Sequence, residues 1–327
     1  MASSGTATRG GKAAASAAAG ALLWGTLGPV AALFDTGDRI AAGGIRLAIG
    51  ALVLLAVARG RPLRHRWTRT DVAPLVGGAV GIAGFQVAYF GAIGSAGVAV
   101  STAVGIGLSP VFTGLWTAIT ARRGPTTGWM VGTAVAVSGL CLLALTKAVT
   151  FSLAGLGLSV LAAAFFSLQA VSIQALTKRH DEATALTGIL ALGTVLMSPV
   201  IVATATPNLL TGQGIAGVAY LGVVTTGLSY WLFARGIRHI GAAAAVTITL
   251  LEPAAAAVIA AVALHEELSA GQWVGIVLIG AAITITGRTA KASKPTGADH
   301  QRQPAGVADT DHHQAAEAVT ANHRQPA

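Results

Sequence analysis

Ten apolar stretches, each 18–26 residues long, follow one another along this chain with only short breaks between them. A hydrocarbon core about 30 Å thick is crossed by roughly 20 helical residues at 1.5 Å per residue, so each stretch is long enough to span a bilayer. They run over 14–34, 40–58, 72–93, 98–120, 128–146, 152–177, 184–204, 214–234, 241–264 and 270–287. Inside lipid every backbone N–H and C=O must be bonded within the protein, which leaves helices or closed barrels. Barrel strands are about ten residues of alternating character, and nothing here alternates. The expected fold class is therefore an all-α membrane protein with ten transmembrane helices, neighbours antiparallel because their links are short. Composition agrees: 10% of residues are charged, against about 25% in soluble domains. An ordinary water-soluble enzyme is excluded. A disulfide scaffold is excluded too, since Cys141 is the one cysteine. The first span follows Arg9 and Lys12, as a signal peptide would, but it is long and has no clean small-residue cleavage site before Asp35, so it reads as a retained helix.

Charge placement sets the orientation. With the N-terminus in the cytoplasm, 18 of the 21 Lys and Arg residues fall inside, including Arg59, Arg61, Arg64, Arg66 and Arg69 in one link. Only Arg39 and Lys147 fall outside, and Arg46 lies within a span. This is the positive-inside pattern, with both termini cytoplasmic. It accounts for the net charge of +9 without nucleic acid, and brings the 59–71 link against anionic lipid headgroups.

Sliding the chain on itself by 143 residues superposes Asp38 on Asp181, Gly84 on Gly227, Phe90 on Phe233, Pro110 on Pro253 and Gly132 on Gly275. No gap is needed across five spans, so spans one to five map onto six to ten. Five is odd, and the second half is expected upside down relative to the first. The link charges follow: the Arg-rich 59–71 link maps to 202–214, which has no Lys or Arg. The expected organisation is a cytoplasmic tail over 1–13, a first repeat over 14–147, a second over 152–288 and a disordered cytoplasmic tail over 289–327. Two inverted repeats are the architecture of secondary transporters, whose substrates bind near the midplane between the halves.

Ionisable groups in mid-span are costly, and by default they mark function. Arg46 sits about six residues into the second span, where it would attract the negative end of a substrate; the plain alternative is an arginine holding carbonyls or a helix end. Glu252 lies near the middle of the ninth span, directly before Pro253, which removes a donor and bends or opens the helix. A carboxyl there suits a group that takes up and releases a proton, and the alternative is a hydrogen-bonded brace. The repeat mate of Glu252 is Ser109, before Pro110, so the kink is expected in both halves and the acid in one. Gln86, Tyr89, Gln169 and Tyr230 are candidate lining residues, with Gln174, Thr247 and Thr249 behind them; each is equally an interhelical bond. Trp24, Gly77, Gly81 and Gly84 read as packing, and Ser101, Gly105 and Ser109 as a small-residue seam. There is no phosphate-binding loop, and neither a cofactor nor a metal is expected.

The run from Leu251 to Ile279, with Glu252, Pro253, Glu266 and Gly275, resembles the EamA-type family of drug/metabolite transporters. Trp24-Gly25 and Arg46-Leu47 also resemble family positions. In the first half the resemblance is thinner, with Ser109 before Pro110 and Arg123 where Glu266 would be. The resemblance spans roughly 14–287 and implies a multi-pass permease of the bacterial cytoplasmic membrane, often an exporter of amino acids or related metabolites driven by proton exchange. The expected function is a proton-coupled exporter working by alternating access, not an enzyme. Its expected partners are a small-molecule substrate and membrane lipids, with a homodimer left open. A flippase, a drug-efflux carrier and a non-transporting membrane partner are the rival readings.

Overall fold

The computed structural model describes residues 3–31, 33–122, 124–144, 152–263 and 267–292, with backbone alone for 3–9, 36, 263 and 287–292. The expected boundary between halves (147–151), Arg123, His265, Glu266 and the tail from 293 lie outside the described residues.

Helices α1 (Ser3–Trp24), α2 (Leu27–Ala31) and α3 (Thr36–Val57) are followed by the short α4 (Arg61–Arg64), then α5 (Arg69–Gly105), α6 (Ser109–Ala121) and α7 (Thr127–Ala144). The second half repeats the order with α8 (Leu153–Thr177), α9 (Glu182–Thr204), α10 (Gly212–Gly222), a π-helical segment (Val223–Leu228), α11 (Ser229–Ile240), α12 (Ala242–Ile248), α13 (Leu251–Ala263) and α14 (Ala270–Ala292). Among the described residues there is no strand. Eight helical runs are long and apolar enough to cross a membrane, and Ala270–Thr286 is a shorter apolar one. The chain is an all-helical integral membrane protein.

Two links are shorter than expected. The break expected over 94–97 is a single residue: α5 runs on through Gly97, which alone turns the chain at φ 76°, ψ 165°. An uncharged stretch stays helical because a loop would strand backbone groups away from water. Gly241, at φ 84°, ψ 161°, makes the same turn between α11 and α12. A side chain at either position would be strained, since positive φ favours glycine. The two stand 144 residues apart, within one of the repeat shift. The link expected over 235–240 is likewise the end of α11, where Arg235 lies 4.8 Å over the Trp231 ring and Arg238 pairs with Glu182 at 3.2 Å.

The dominant packing pairs are α5 with α8, α1 with α11, α3 with α9 and α7 with α14. Each joins one half to the other. Exchanging every helix for its repeat mate returns the same four pairs, as two-fold-related repeats require. Small residues let the backbones meet. A Cβ on Gly81 would stand 2.6 Å from the Gln169 nitrogen and 2.8 Å from the Phe165 oxygen, both backbone atoms that cannot swing aside. Gly81→Leu is therefore expected to block α5–α8 docking, at a cost of at least about 1–3 kcal/mol, and to abolish the monodisperse peak in detergent. Gly280→Leu is the control, because nothing lies within 4 Å of the Cβ it would gain, and it should leave the peak intact.

Buried carboxylates tie the halves together at both ends. Asp38, 1% exposed, accepts from the backbone N–H and the hydroxyl of Thr206, both at 2.8 Å. At the opposite end Asp71 accepts from Thr68 N–H at 3.0 Å, Thr68 Oγ1 at 2.6 Å and Arg179 Nη1 at 2.9 Å. His180 Nε2 stands 3.0 Å from Asp71, and the rings of His65 and Trp67 meet His180 edge-on. Near this end the halves close over a dry core that includes Leu54, Leu176, Leu186 and Ile237, each 2% exposed or less.

Candidate functional site

Arg46 projects from the middle of α3 into the interior and is 5% exposed. One amino group, Nη1, donates to Thr226 Oγ1 and the other, Nη2, to Gln86 Oε1, both at 3.2 Å. Gln86 is oriented in turn by donating through Nε2 to the Gly43 carbonyl at 2.9 Å. Thr226 belongs to the π-helical segment, where its hydroxyl also donates to Leu221 O, five residues back, at 2.9 Å. Such segments are rare and concentrate at functional sites. This one is pinned by Trp24, whose indole N–H donates to Thr225 O at 2.8 Å. Arg46 forms no ion pair among the described residues: its hydrogen bonds go to neutral acceptors, and Glu252 acts on its charge only from a distance within the same cleft.

Glu252 enters from the other side. α12 ends at Ile248, residues 249–250 form a turn, and α13 restarts at Leu251, which puts Glu252 in its first turn with Pro253 next. A proline is tolerated there because first-turn N–H groups have no partner within the helix. In the first half a turn over 106–108 separates α5 from α6, with Pro110 as the second residue of α6. Both helices are thus interrupted just upstream of the residues named as kinks, as in the discontinuous spans of many carriers. Glu252 is half-buried as a residue, and its carboxyl makes no hydrogen bond or ion pair to a described residue.

The two charged groups share one open-sided cleft, with about 520 Å³ of empty space including its mouth. Trp24, Leu27, Arg46, Phe85, Gln86, Tyr89, Phe90, Ile106, Phe166, Tyr230 and Glu252 line it. Its lining, mostly apolar with a few convergent polar groups, has the character of small-molecule sites. The aromatic walls brace one another: Trp24 stands edge-on to Tyr230 at 4.9 Å, and Phe85 stacks on Tyr89 at 5.1 Å. The Tyr89 hydroxyl is 2.8 Å from that of Thr102. A smaller cavity shares Leu27, Arg46 and Phe90 with the cleft and continues to Phe34 and Arg39, at the end of the bundle where Asp38 sits.

Of the six substrate or coupling residues expected from sequence, five line the cleft: Arg46, Gln86, Tyr89, Tyr230 and Glu252. Gln169 does not; it is buried on α8 against Gly81, its Oε1 without a hydrogen-bond partner. Gln174 accepts from the Ala242 N–H at the start of α12, the Thr247 hydroxyl donates to Ala243 O and stands 3.2 Å from that of Thr133 on α7, and the Thr249 hydroxyl, in the turn, donates to Val246 O. Ser101, Gly105 and Ser109 are all buried, and Ser109 O accepts from Ser167 Oγ of α8 at 2.9 Å. Sequence reasoning missed the phenylalanine walls and Thr226, and read Trp24 as packing alone. Among the described residues no cluster of three His, Cys, Asp or Glu side chains could hold a metal.

Paired broken helices, a two-fold set of packing partners and a charged cleft between the halves define a membrane transporter. The chain belongs to the EamA-like transporter family, which it matches over residues 11–145 and again over 153–288. It is 30% identical over 286 residues to a Bacillus subtilis (strain 168) protein named "Uncharacterized transporter YwfM", covering 86% of this chain and 95% of that one. A solved structure described as "Crystal structure of protein" aligns with TM-score 0.70 at 19% identity, over 86% of this chain and 98% of its own. That likeness is one of fold.

Proposed function

We propose that the protein is a proton-coupled exporter of amino acids or closely related metabolites, with ten spans in two inverted five-helix halves and working by alternating access. One observation carries this reading: a buried arginine and a glutamate of opposite charge share an aromatic-walled cleft without touching each other or any other charged group among the described residues. An amino acid complements both, its carboxylate to Arg46 and its ammonium or the coupled proton to Glu252, while an apolar side chain meets the rings. A buried cation with no carboxylate in contact is only partly compensated, and a bidentate carboxylate is the partner its fork fits. Ten spans follow if the chain crosses once on each side of Gly97 and of Gly241, and if α14 also crosses. The positive-inside pattern then supports a cytoplasmic-membrane protein with cytoplasmic termini and a cleft open to the outer face.

Purified protein in liposomes loaded with a pH-sensitive dye tests this. Adding a mixed pool of amino acids should evoke proton movement in protein-containing vesicles and none in protein-free ones. A response to phospholipid headgroups or to cationic drugs, with none to amino acids, would overturn the substrate class in favour of a flippase or drug carrier.

A further inference from the structure

Arg39 stands seven residues before Arg46 on α3, two helical turns and roughly 10 Å along the axis, and therefore on the same face. Both arginines line the smaller cavity that runs from the cleft to the Asp38 end of the bundle. Arg39 is held in place by its Nε, which donates to Ala31 O at 3.0 Å and to Phe34 O at 2.7 Å where α2 ends. Its two Nη groups bond to nothing among the described residues. Neither nearby carboxylate forms an ion pair with it: both Asp38 oxygens face Thr206, and the exposed Asp35 does not pair with it, so the Nη groups stay free to meet an anion. An anion released by Arg46 toward this end therefore meets a second fixed cation before it meets open water. Between low-dielectric walls two such charges keep an anion in favourable potential over the whole step.

We propose that Arg39 is the second station of a two-arginine route along which the carboxylate of a small substrate passes between the central cleft and the outer face. This rests on the transport reading above, so the test has one arm that needs no substrate. Phe90 lines both cavities, and a cysteine there samples the potential between the arginines. In a Cys141→Ser background, Phe90→Cys is treated from outside intact cells with an anionic or a cationic methanethiosulfonate. The anionic-to-cationic rate ratio should exceed that of a free thiol, fall roughly tenfold with Arg39→Gln, and be largely kept by Arg39→Lys. A ratio unmoved by Arg39→Gln, or a thiol unreachable from outside, would sink the proposal. Lysine keeps the charge and loses the fork, so it separates the potential from a folding defect.

The second arm compares uptake of L-leucine with that of its decarboxylated amine. Arg39→Gln should raise KM for leucine and leave kcat, with no effect on the amine; equal loss for both would assign Arg39 a structural role and overturn the station. If wild type carries no amino acid while the thiol ratio still responds to Arg39, the electropositive route stands and the amino-acid reading falls.

Discussion

Arg46→Gln is expected to lower kcat/KM for amino-acid substrates by roughly thirty- to several-thousand-fold while leaving thermal stability without substrate unchanged or raised. Removing one member of a buried charge pair costs about 2–5 kcal/mol of binding, and each 1.4 kcal/mol is a factor of ten. Stability should move the other way. In the empty protein Arg46 is 5% exposed and hydrogen-bonded to Thr226 and Gln86 alone, so its charge is desolvated with no direct ion pair to offset it, and Glu252 acts on it only from a distance within the cleft. Glutamine keeps a donor for one of those oxygens and deletes the charge. Groups that bind tightly at the expense of the unliganded fold show this trade. A brace behaves in the opposite sense: if Arg46 only ties α3 to the π-helical segment and to α5, its loss lowers the melting temperature and transport falls in proportion to folded protein. Thermal unfolding beside uptake per folded molecule decides between them. Arg46→Lys should fall between, since a single ammonium cannot reproduce the planar two-pronged grip.

What could be read from sequence, and what could not, follows from which interactions are local. The all-helical membrane class was legible because the bilayer imposes length and polarity on every residue of a span, whatever it touches; the count of ten was not, since eight described runs are long and apolar enough to cross. Arg46 and Glu252 stood out for the same reason, since an ionised group amid Ala, Val and Leu needs a cause. The shift of 143 exposed the repeat because Pro110 and Pro253 interrupt both halves at one register. The π-helical turn at Val223–Leu228 left no such trace: it is set by which partners Thr225 and Thr226 find on α1 and α3. The walls were hidden too. A phenylalanine in a span serves equally against lipid, a neighbour or a ligand, and only tertiary packing brought Phe85, Phe90 and Phe166 round one cleft. Of the two readings open for the neutral polar residues, several take the hydrogen-bonding one. Gln174, Thr247 and Thr249 bond backbone groups instead of facing the cleft, as short polar side chains in spans commonly do. The links read over 94–97 and 235–240 narrow to one glycine each, Gly97 and Gly241, because backbone groups stay paired until water is reached.

Glu252→Gln is expected to abolish substrate-driven proton movement, by a hundredfold or more, while sparing exchange of substrate for substrate across the same membrane. The carboxyl and the amide have nearly the same shape, and the carboxyl makes no hydrogen bond or ion pair to a described residue that the amide would break. What changes is that the amide cannot take up or release a proton. A carrier whose coupling ion is a proton on Glu252 must reload this group in each net transport cycle, so the variant stalls wherever the proton has to leave. Exchange does not require that step, because substrate can be bound, carried and replaced with the side chain permanently uncharged. Counterflow of labelled leucine into vesicles preloaded with unlabelled leucine measures exchange, and the internal pH dye measures proton movement. Loss of the dye response with counterflow kept places the coupling proton on Glu252. If both are lost at normal protein levels, Glu252 holds the substrate's ammonium instead, and Glu252→Asp should then recover part of the binding, because the charge remains and only one methylene is gone. If both are kept, Glu252 carries neither role and the coupling group lies elsewhere.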